Sequence, residues 1–236
     1  MDLIIIKKTK DYVVINKPAG LITHGAKHIK DVVSLASLLV AEFPEIVDVG
    51  DDKLRPGIVH RLDKNVSGLI VVARNQKMFD SLKGQFKARN VDKQYVALVY
   101  GQTTKDYDTI EFPLERSAKG FKMAAKPLGT LIEGNTREAI TLFDVREAFI
   151  NYTLLNVSIK TGRTHQIRCH LTAYGYPIVG DDLYSTKKTR IKNKKINLER
   201  IFLCATKLSF KDLDGENVKF EVEIPEELKI FLRKVK

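Results

Sequence analysis

The sequence predicts an α+β fold with a largely antiparallel sheet. Three observations carry this. Apolar runs of strand length recur irregularly, while helical patterns are few and short. Strand does not alternate strictly with helix, as a doubly wound sheet would require. Two long strand-like runs, 139–147 and 151–160, flank the short link Ala148-Phe149-Ile150 and read as an antiparallel pair.

Taken in order, residues 12–16 read as a short buried strand stopped by Lys17-Pro18-Ala19-Gly20, a turn signal. Residues 31–41 place Val32, Leu35, Leu38 and Leu39 at helical spacing, with Asp31 as N-cap. Residues 57–63 are strand-like up to a polar turn at Lys64-Asn65, and a second strand follows at 68–73. Asn75 caps a helix whose apolar face is Met78, Phe79, Leu82 and Phe86. Residues 93–100 form another strand, ended by Gly101. After the 139–160 pair, Thr161-Gly162-Arg163-Thr164 turns into a helix capped by Thr164, with Ile167, Leu171 and Tyr174 inside and Gly175 at its end. Strands near 202–210 and 218–224 precede a terminal helix around 225–234. With no repeat and no Gly/Ser/Pro-rich linker, residues 1–236 read as one domain, and a monomer is the default expectation.

Composition narrows the function. The 40 Lys and Arg outnumber the 29 Asp and Glu, giving a formal net charge of +11, which attracts polyanions. No apolar run approaches the roughly 18–20 residues needed to span a bilayer, and no long basic amphipathic helix stands out. Membrane association is therefore not expected. Met1-Asp2-Leu3-Ile4-Ile5-Ile6-Lys7-Lys8 has an acid where a signal peptide carries positive charge. Cys169 and Cys204 form no disulfide framework or metal motif, so a cytoplasmic location is the expectation.

Two polar clusters interrupt apolar strands. In His60-Arg61-Leu62-Asp63, extended geometry puts His60 and Leu62 on one face and Arg61 and Asp63 on the other. On local evidence a salt bridge fixing a turn is the better reading. In Gly162-Arg163-Thr164-His165-Gln166-Ile167-Arg168, Gly162 permits a tight turn and Arg163 is placed to meet a carboxylate or phosphate bidentately. A capping turn with solvated charges is the plain alternative. His165 and His170 are five apart and do not share a helical face, which argues against a metal site. Tyr95 shares a strand face with Ala97 and Val99 and reads as core packing or as a platform for a base. The run from Lys187 to Lys195 reads as a basic loop, solvated or following phosphates.

In chain order these pieces resemble the RluA-type pseudouridine synthases. The carriers are His60-Arg61-Leu62-Asp63 with Ser67-Gly68-Leu69, Lys93-Gln94-Tyr95-Val96-Ala97, and Gly162 to Arg168. Supporting matches are Asn16-Lys17-Pro18-Ala19-Gly20-Leu21, Arg137-Glu138-Ala139-Ile140-Thr141, Gly175 to Asp181, and Ala205 to Phe210. The family's usual acid and threonine are replaced here by Asn65 and Val66. The resemblance implies the synthase fold, a single mixed, mostly antiparallel sheet with a central RNA-binding cleft, and a cofactor-free and metal-free isomerisation; because Tyr12 already begins the catalytic domain, no separate N-terminal RNA-binding module is expected. It implies that Asp63 is the essential carboxylate, Tyr95 lies against the target base, and Arg163 pairs with the aspartate. Arg61 is then the residue that enters the RNA stack, with His60, His165, Gln166 and Arg168 as further substrate contacts. The partner implied is structured ribosomal or transfer RNA.

Two rivals remain at this stage. One is a non-catalytic RNA-binding or ribosome-assembly protein on the same scaffold. The other is a nucleoside hydrolase, for which Asp181 and Asp182 are the obvious second acids, although they read better as fixing the turn after Gly180.

Overall fold

A computed structural model describes residues 3–25, 32–117, 120, 122–127, 129 and 135–235. In chain order the strands are β1 (Ile5–Lys8), β2 (Tyr12–Lys17), β3 (Ser67–Ala73), β4 (Asp92–Tyr100), β5 (Tyr107–Ile110), β6 (Leu114–Arg116), β7 (Met123–Ala125), β8 (Thr141–Ala148), β9 (Tyr152–Ile159), β10 (Leu203–Lys211) and β11 (Asn217–Glu221). The helices are α1 (Leu35–Glu42), α2 (Gln76–Lys87), α3 (Gln166–Ala173), α4 (Lys187–Asn193) and α5 (Glu226–Val235). The fold is the expected α+β with a mostly antiparallel sheet. No helix among the described residues is long and apolar enough to cross a membrane.

The chain groups into two compact units, and neither is a continuous stretch of sequence. The first comprises Met1–Lys93 with Ala205–Glu223; the second comprises Gln94–Cys204 with Ile224–Lys236. The first two junctions fall inside strands, β4 after Lys93 and β10 after Cys204, and leave no linker signature to read.

In the first unit β1, β2 and β3 pair antiparallel in that order. All seven residues of β3 are buried, which explains its unbroken apolar run. Next to β3 lies β10, which carries β11 on its other side. At Gly68 (φ +122°) a Cβ would stand 2.1 Å from the Ala205 carbonyl oxygen, so these two backbones approach only because position 68 has no side chain. Helix α2 starts as read, with the Asn75 side chain accepting from Met78 N at 2.9 Å.

The second unit orders its strands β4-β9-β8-β5, antiparallel throughout. The 139–160 pair is β8 with β9, in register from Thr141 opposite Ile159 to Ala148 opposite Thr153, with one irregularity between Val145 and Glu147. Strands β6 and β7 make a separate hairpin. Arg200 joins the head of β10 to α5, bonding the Ile201 and Leu203 carbonyls and Glu227.

Four local expectations change. Helix α1 begins later than read: Ser34 caps it in a reciprocal box with Ser37, Val32 is exposed, and Asp31 lies outside the described residues. Residues 57–63 form no strand: Gly57 lies in a turn (φ +68°), and only Ile58 bridges to Val72. The cap of α3 is His165 instead of Thr164. The basic run 187–195 is largely helix α4, whose start is fixed by a Thr186–Thr189 capping box.

Candidate active site

The segment carrying Asp63 belongs to the first unit. It is irregular because side chains replace its ladder bonds. Leu62 gives its N–H to Thr23 Oγ1 (3.3 Å) and receives the Thr23 hydroxyl proton on its carbonyl (2.8 Å). Val71 N in β3 donates to His60 Nε2 at 3.0 Å, where a strand would offer a carbonyl. After Asp63 the chain turns, with Val66 N donating to the Asp63 carbonyl (3.1 Å) and Gly20 N to the Lys64 carbonyl (2.9 Å). Lys17 is fully buried and spends its ammonium on three carbonyls: Pro18 (2.8 Å), Leu21 (2.8 Å) and Lys64 (3.2 Å). The residues after β2 thus fix the turn that bears the carboxylate. At Asn65 and Val66, the exposed Asn65 and the buried Val66 leave that backbone bonding complete.

Asp63 itself is half-buried and Arg61 is exposed, on either side in sequence of buried Leu62. The Arg61 Nη1 donates to His24 Nε2 at 3.3 Å, and His24 Nδ1 in turn bonds the Gly25 carbonyl at 2.9 Å. This fixes the tautomer of His24, a residue with no sequence signal. His60, expected as a substrate contact, braces β3 through its ring. Part of the residue reaches the surface, but its ring stacks on Phe86 (centroids 4.7 Å, 26°) and its Nε2 is committed to Val71. Burial, with a smaller push from Lys93, lowers its pKa to about 3, so it stays neutral as that bond requires. Lys93 stands 5.3 Å from the Phe86 ring centre, and burial lowers it to about 8.

The other sequence-predicted residues lie in the second unit. Tyr95, 7% exposed, sits in β4 opposite Val157 of β9. Arg163 is half-buried, with Nε donating to the Glu138 carbonyl at 3.2 Å. Its backbone is gripped by Gln166: Arg163 N donates to Gln166 Oε1 (3.0 Å) and Gln166 N to the Arg163 carbonyl (3.1 Å). Gln166 is 3% exposed and fully used. Its Oε1 also takes the Thr161 hydroxyl (2.8 Å), and its Nε2 donates to the Ile140 carbonyl and Thr141 Oγ1 (both 3.0 Å). Its amide, expected as a substrate contact, is here hydrogen-bonded within the protein, to Arg163 N among others. The chain continues inward: Thr141 Oγ1 bonds His170 Nδ1 (2.9 Å), and His170 Nε2 bonds the Phe112 carbonyl (2.8 Å). Burial lowers the His170 pKa, so its Nε2 carries the proton and its Nδ1 accepts from Thr141.

His165 adopts a left-handed conformation (φ 54°, ψ 21°), which costs a non-glycine residue about 1–2 kcal/mol. Tyr184 holds it there. The Tyr184 oxygen accepts Met123 N–H (2.7 Å) and shares a hydrogen bond with His165 Nδ1 (3.0 Å). Burial raises the Tyr184 pKa to about 12, which keeps its hydroxyl protonated. Arg168 lies over the same ring (5.1 Å) and grips buried Asp181 through Nε and Nη2 (2.8 and 2.9 Å). Asp181 Oδ1 also takes the amides of Leu183 and Tyr184 (3.0 and 2.9 Å), so it fixes the turn after Gly180 as expected. The motif's His165 and Arg168 therefore meet on Tyr184, which sequence reading passed over.

Comparison with known proteins matches residues 11–173 to the family described as RNA pseudouridylate synthase. A protein of Chloroflexus aurantiacus named an RNA pseudouridine synthase is 39% identical over 223 residues, covering 93% of this chain and 65% of that protein. A Bacillus subtilis protein named likewise is 35% identical, covering 97% and 71%. The ribosomal large subunit pseudouridine synthase D of Borreliella burgdorferi is 32% identical, covering 97% and 67%. Among solved structures, human RNA pseudouridylate synthase domain containing 1 aligns with a TM-score of 0.74 at 27% identity, covering 94% of this chain and 83% of that one. Human RNA pseudouridylate synthase domain containing 4, at 23% identity and a TM-score of 0.76 over 98% and 92%, shares the fold.

Proposed function

The chain belongs to the RNA pseudouridylate synthase family, an isomerase family acting on RNA, and from that premise we propose that it converts specific uridines of a structured RNA to pseudouridine with Asp63 as its catalytic carboxylate. The observation that carries the assignment of Asp63 is its position between a segment braced by Thr23 and a turn whose carbonyls are held by Lys17 and Gly20.

The reaction breaks N1–C1′, turns the uracil and forms C5–C1′; N1 gains the proton that C5 loses. Atoms and electrons balance with no redox partner. An ionised carboxylate begins it, by attack on C1′ or removal of a sugar proton. In this reading Arg163 pairs with Asp63 and holds its direction, which suits an arginine whose backbone is locked by Gln166. Tyr95 lies against the base and accepts the C5 proton, directly or through water. A stacked uridine is out of reach and has to be flipped, and Arg61 fills the gap it leaves. His165 and Arg168 act behind this set, on the Tyr184 side of the Arg163 turn. Ribosomal RNA is the favoured substrate, supported by the name of the Borreliella relative, with transfer RNA as the other option. The site of action is the cytoplasm, and the working form is the monomer.

The test is Asp63→Asn, assayed on RNA from cells lacking the protein. Loss of all pseudouridine formation with RNA affinity and melting temperature kept is the expected result. A wild-type protein that forms no pseudouridine on any cellular RNA, yet binds one tightly, is a non-catalytic RNA-binding protein. Release of free uracil points instead to a hydrolase.

A further inference from the structure

Helix α4 is not needed for the chemistry above, yet it concentrates charge. Between Asp182 and Glu199 the chain has no acid and six cations: Lys187, Lys188, Arg190, Lys192, Lys194 and Lys195. Among the described residues none of the six has a carboxylate within ion-pair distance, whereas ion pairs are common elsewhere on the protein. The arrangement works against the helix itself. Lys187 and Lys188 sit in its first turn, where the backbone dipole disfavours positive charge. Lys187 with Arg190, Lys188 with Lys192 and Arg190 with Lys194 fall at repelling spacings of three and four. Five of the six are exposed, all but Lys192, whose ammonium lies 5.4 Å from the Tyr100 ring centre.

A run that were merely solvated would have no reason to be anchored. This one is. Asn193, 9% exposed, spends both ends of its amide on the preceding turn. Its Oδ1 accepts from Tyr100 Oη (2.7 Å) and Gly180 N (3.0 Å), and its Nδ2 donates to the Asp181 carbonyl (3.1 Å) and to Asp182 (3.4 Å). Asp181 is the residue that Arg168 of α3 grips. A short chain of buried polar bonds therefore connects the cationic helix to the helix that follows Arg163.

We propose that the exposed face of Lys187, Lys188, Arg190, Lys194 and Lys195 is a phosphate-binding surface that holds the RNA backbone at nucleotides away from the target uridine. It rests on the reading of the protein as an RNA enzyme and adds to it a place on the surface where flanking RNA is held. Such contacts give affinity and register without reading bases. Each phosphate contact contributes about 0.7–0.9 to the slope of log affinity against log salt.

The experiment replaces Lys187, Lys188, Arg190, Lys194 and Lys195 together by Gln, and compares this with a control in which exposed Lys7, Lys10, Lys53, Lys211 and Lys219 are replaced by Gln. Binding to a mixed-sequence RNA hairpin of about 30 nucleotides is measured across salt concentrations. The α4 variant is expected to lose roughly tenfold to a hundredfold in affinity near 0.1 M salt, with the slope falling by about 3–4. The control moves little, and on the native substrate KM rises while kcat holds. Equal losses in the two variants would reduce the effect to net charge and overturn the proposal. So would an α4 variant that keeps hairpin affinity but loses binding to phosphatidylserine vesicles, which would make α4 a membrane contact. Because the binding readout does not require turnover, it stands even if the protein forms no pseudouridine.

Discussion

Replacing Gln166 by Glu tests whether this side chain positions the Arg163 turn. The amide accepts from Arg163 N and Thr161 Oγ1 and donates to the Ile140 carbonyl and Thr141 Oγ1. An ionised Glu keeps both accepted bonds but turns an oxygen without a proton toward the Ile140 carbonyl. Thr141 has already committed its proton to His170 Nδ1, so it satisfies the carboxylate only by abandoning His170. One repelled contact and one orphaned acceptor, at about 1–3 kcal/mol each, sum to about 2–6 kcal/mol, with about 4 kcal/mol as the middle value. A protonated Glu restores the bond to Ile140 and leaves a defect of about 1–2 kcal/mol.

The difference between the two forms, about 2–3 kcal/mol, raises the folded-state pKa of the new carboxyl by about two units above its ordinary 4.3. With the folded pKa raised, the folded variant binds a proton more readily than the unfolded chain. Its defect is therefore largest above about pH 6.5 and shrinks as pH falls toward 4.3. For a chain of this size, 1 kcal/mol moves the melting temperature by about 2–4 °C. Scanning calorimetry is expected to find the variant about 10 °C below wild type at pH 8 and about 6 °C below at pH 5. A gap that stays constant or widens toward acid would refute the positioning role.

The remaining predictions concern the first unit. Lys17→Met leaves three carbonyls without their shared donor and is expected to cost about 3–5 kcal/mol in urea unfolding, with faster hydrogen exchange at Gly20 and Val66; slow exchange at both would show that the Asp63 turn does not depend on Lys17. His60 has a folded pKa near 3 against an ordinary 6.5, so the unfolded chain binds its proton first and stability falls as pH drops from about 6.5 toward 3, by roughly 1 kcal/mol per pH unit. His60→Gln keeps an acceptor for Val71 and removes the titration; urea midpoints at pH 7 and pH 5 should then differ less than in wild type, and an unchanged difference would remove His60 from the acid limb. Gly68→Ala would bring a methyl group 2.1 Å from the Ala205 carbonyl oxygen, and a loss of at least about 3 kcal/mol is expected by chemical denaturation.

What could be read in the sequence was what has local cause. Strands β2, β3 and β4 announce themselves by buried apolar runs, α2 by Asn75 and its apolar face, and β8 and β9 by their short link. Helix α4 could not be read, because it has no apolar face and is held by Asn193 reaching Tyr100, 93 residues away. The edge strand β1 is exposed along its whole length and so carries no pattern of burial. His24 beside Arg61 and Tyr184 beside His165 were missed for the same reason: each pairing crosses the sequence and leaves no spacing behind. Motif order identified residues 60–63 and 162–168, but order cannot say which side chain faces substrate and which faces the protein.

That distinction bears on why these motifs are so recognisable. Asp63 and Arg163 both sit on irregular backbone, where the regular ladder bonds that would hold a strand or helix are missing. The missing bonds are supplied by side chains from the same motifs: Lys17 and Thr23 for the Asp63 segment, His60 for the neighbouring strand, Gln166 for Arg163, and Asp181 through Arg168 for the helix that follows. Each is a buried or half-buried polar group, and removing one partner strands the other at a cost of about 1–3 kcal/mol. An irregular turn is needed to aim a carboxylate or a guanidinium away from its own sheet, and it demands specific donors where a strand would accept almost any residue. On this argument most of the polar identity in the two clusters is the chemistry of holding a turn. On the proposed function, the part that would act on RNA is smaller: Asp63 and Arg61 from the first unit, Arg163 and Tyr95 from the second.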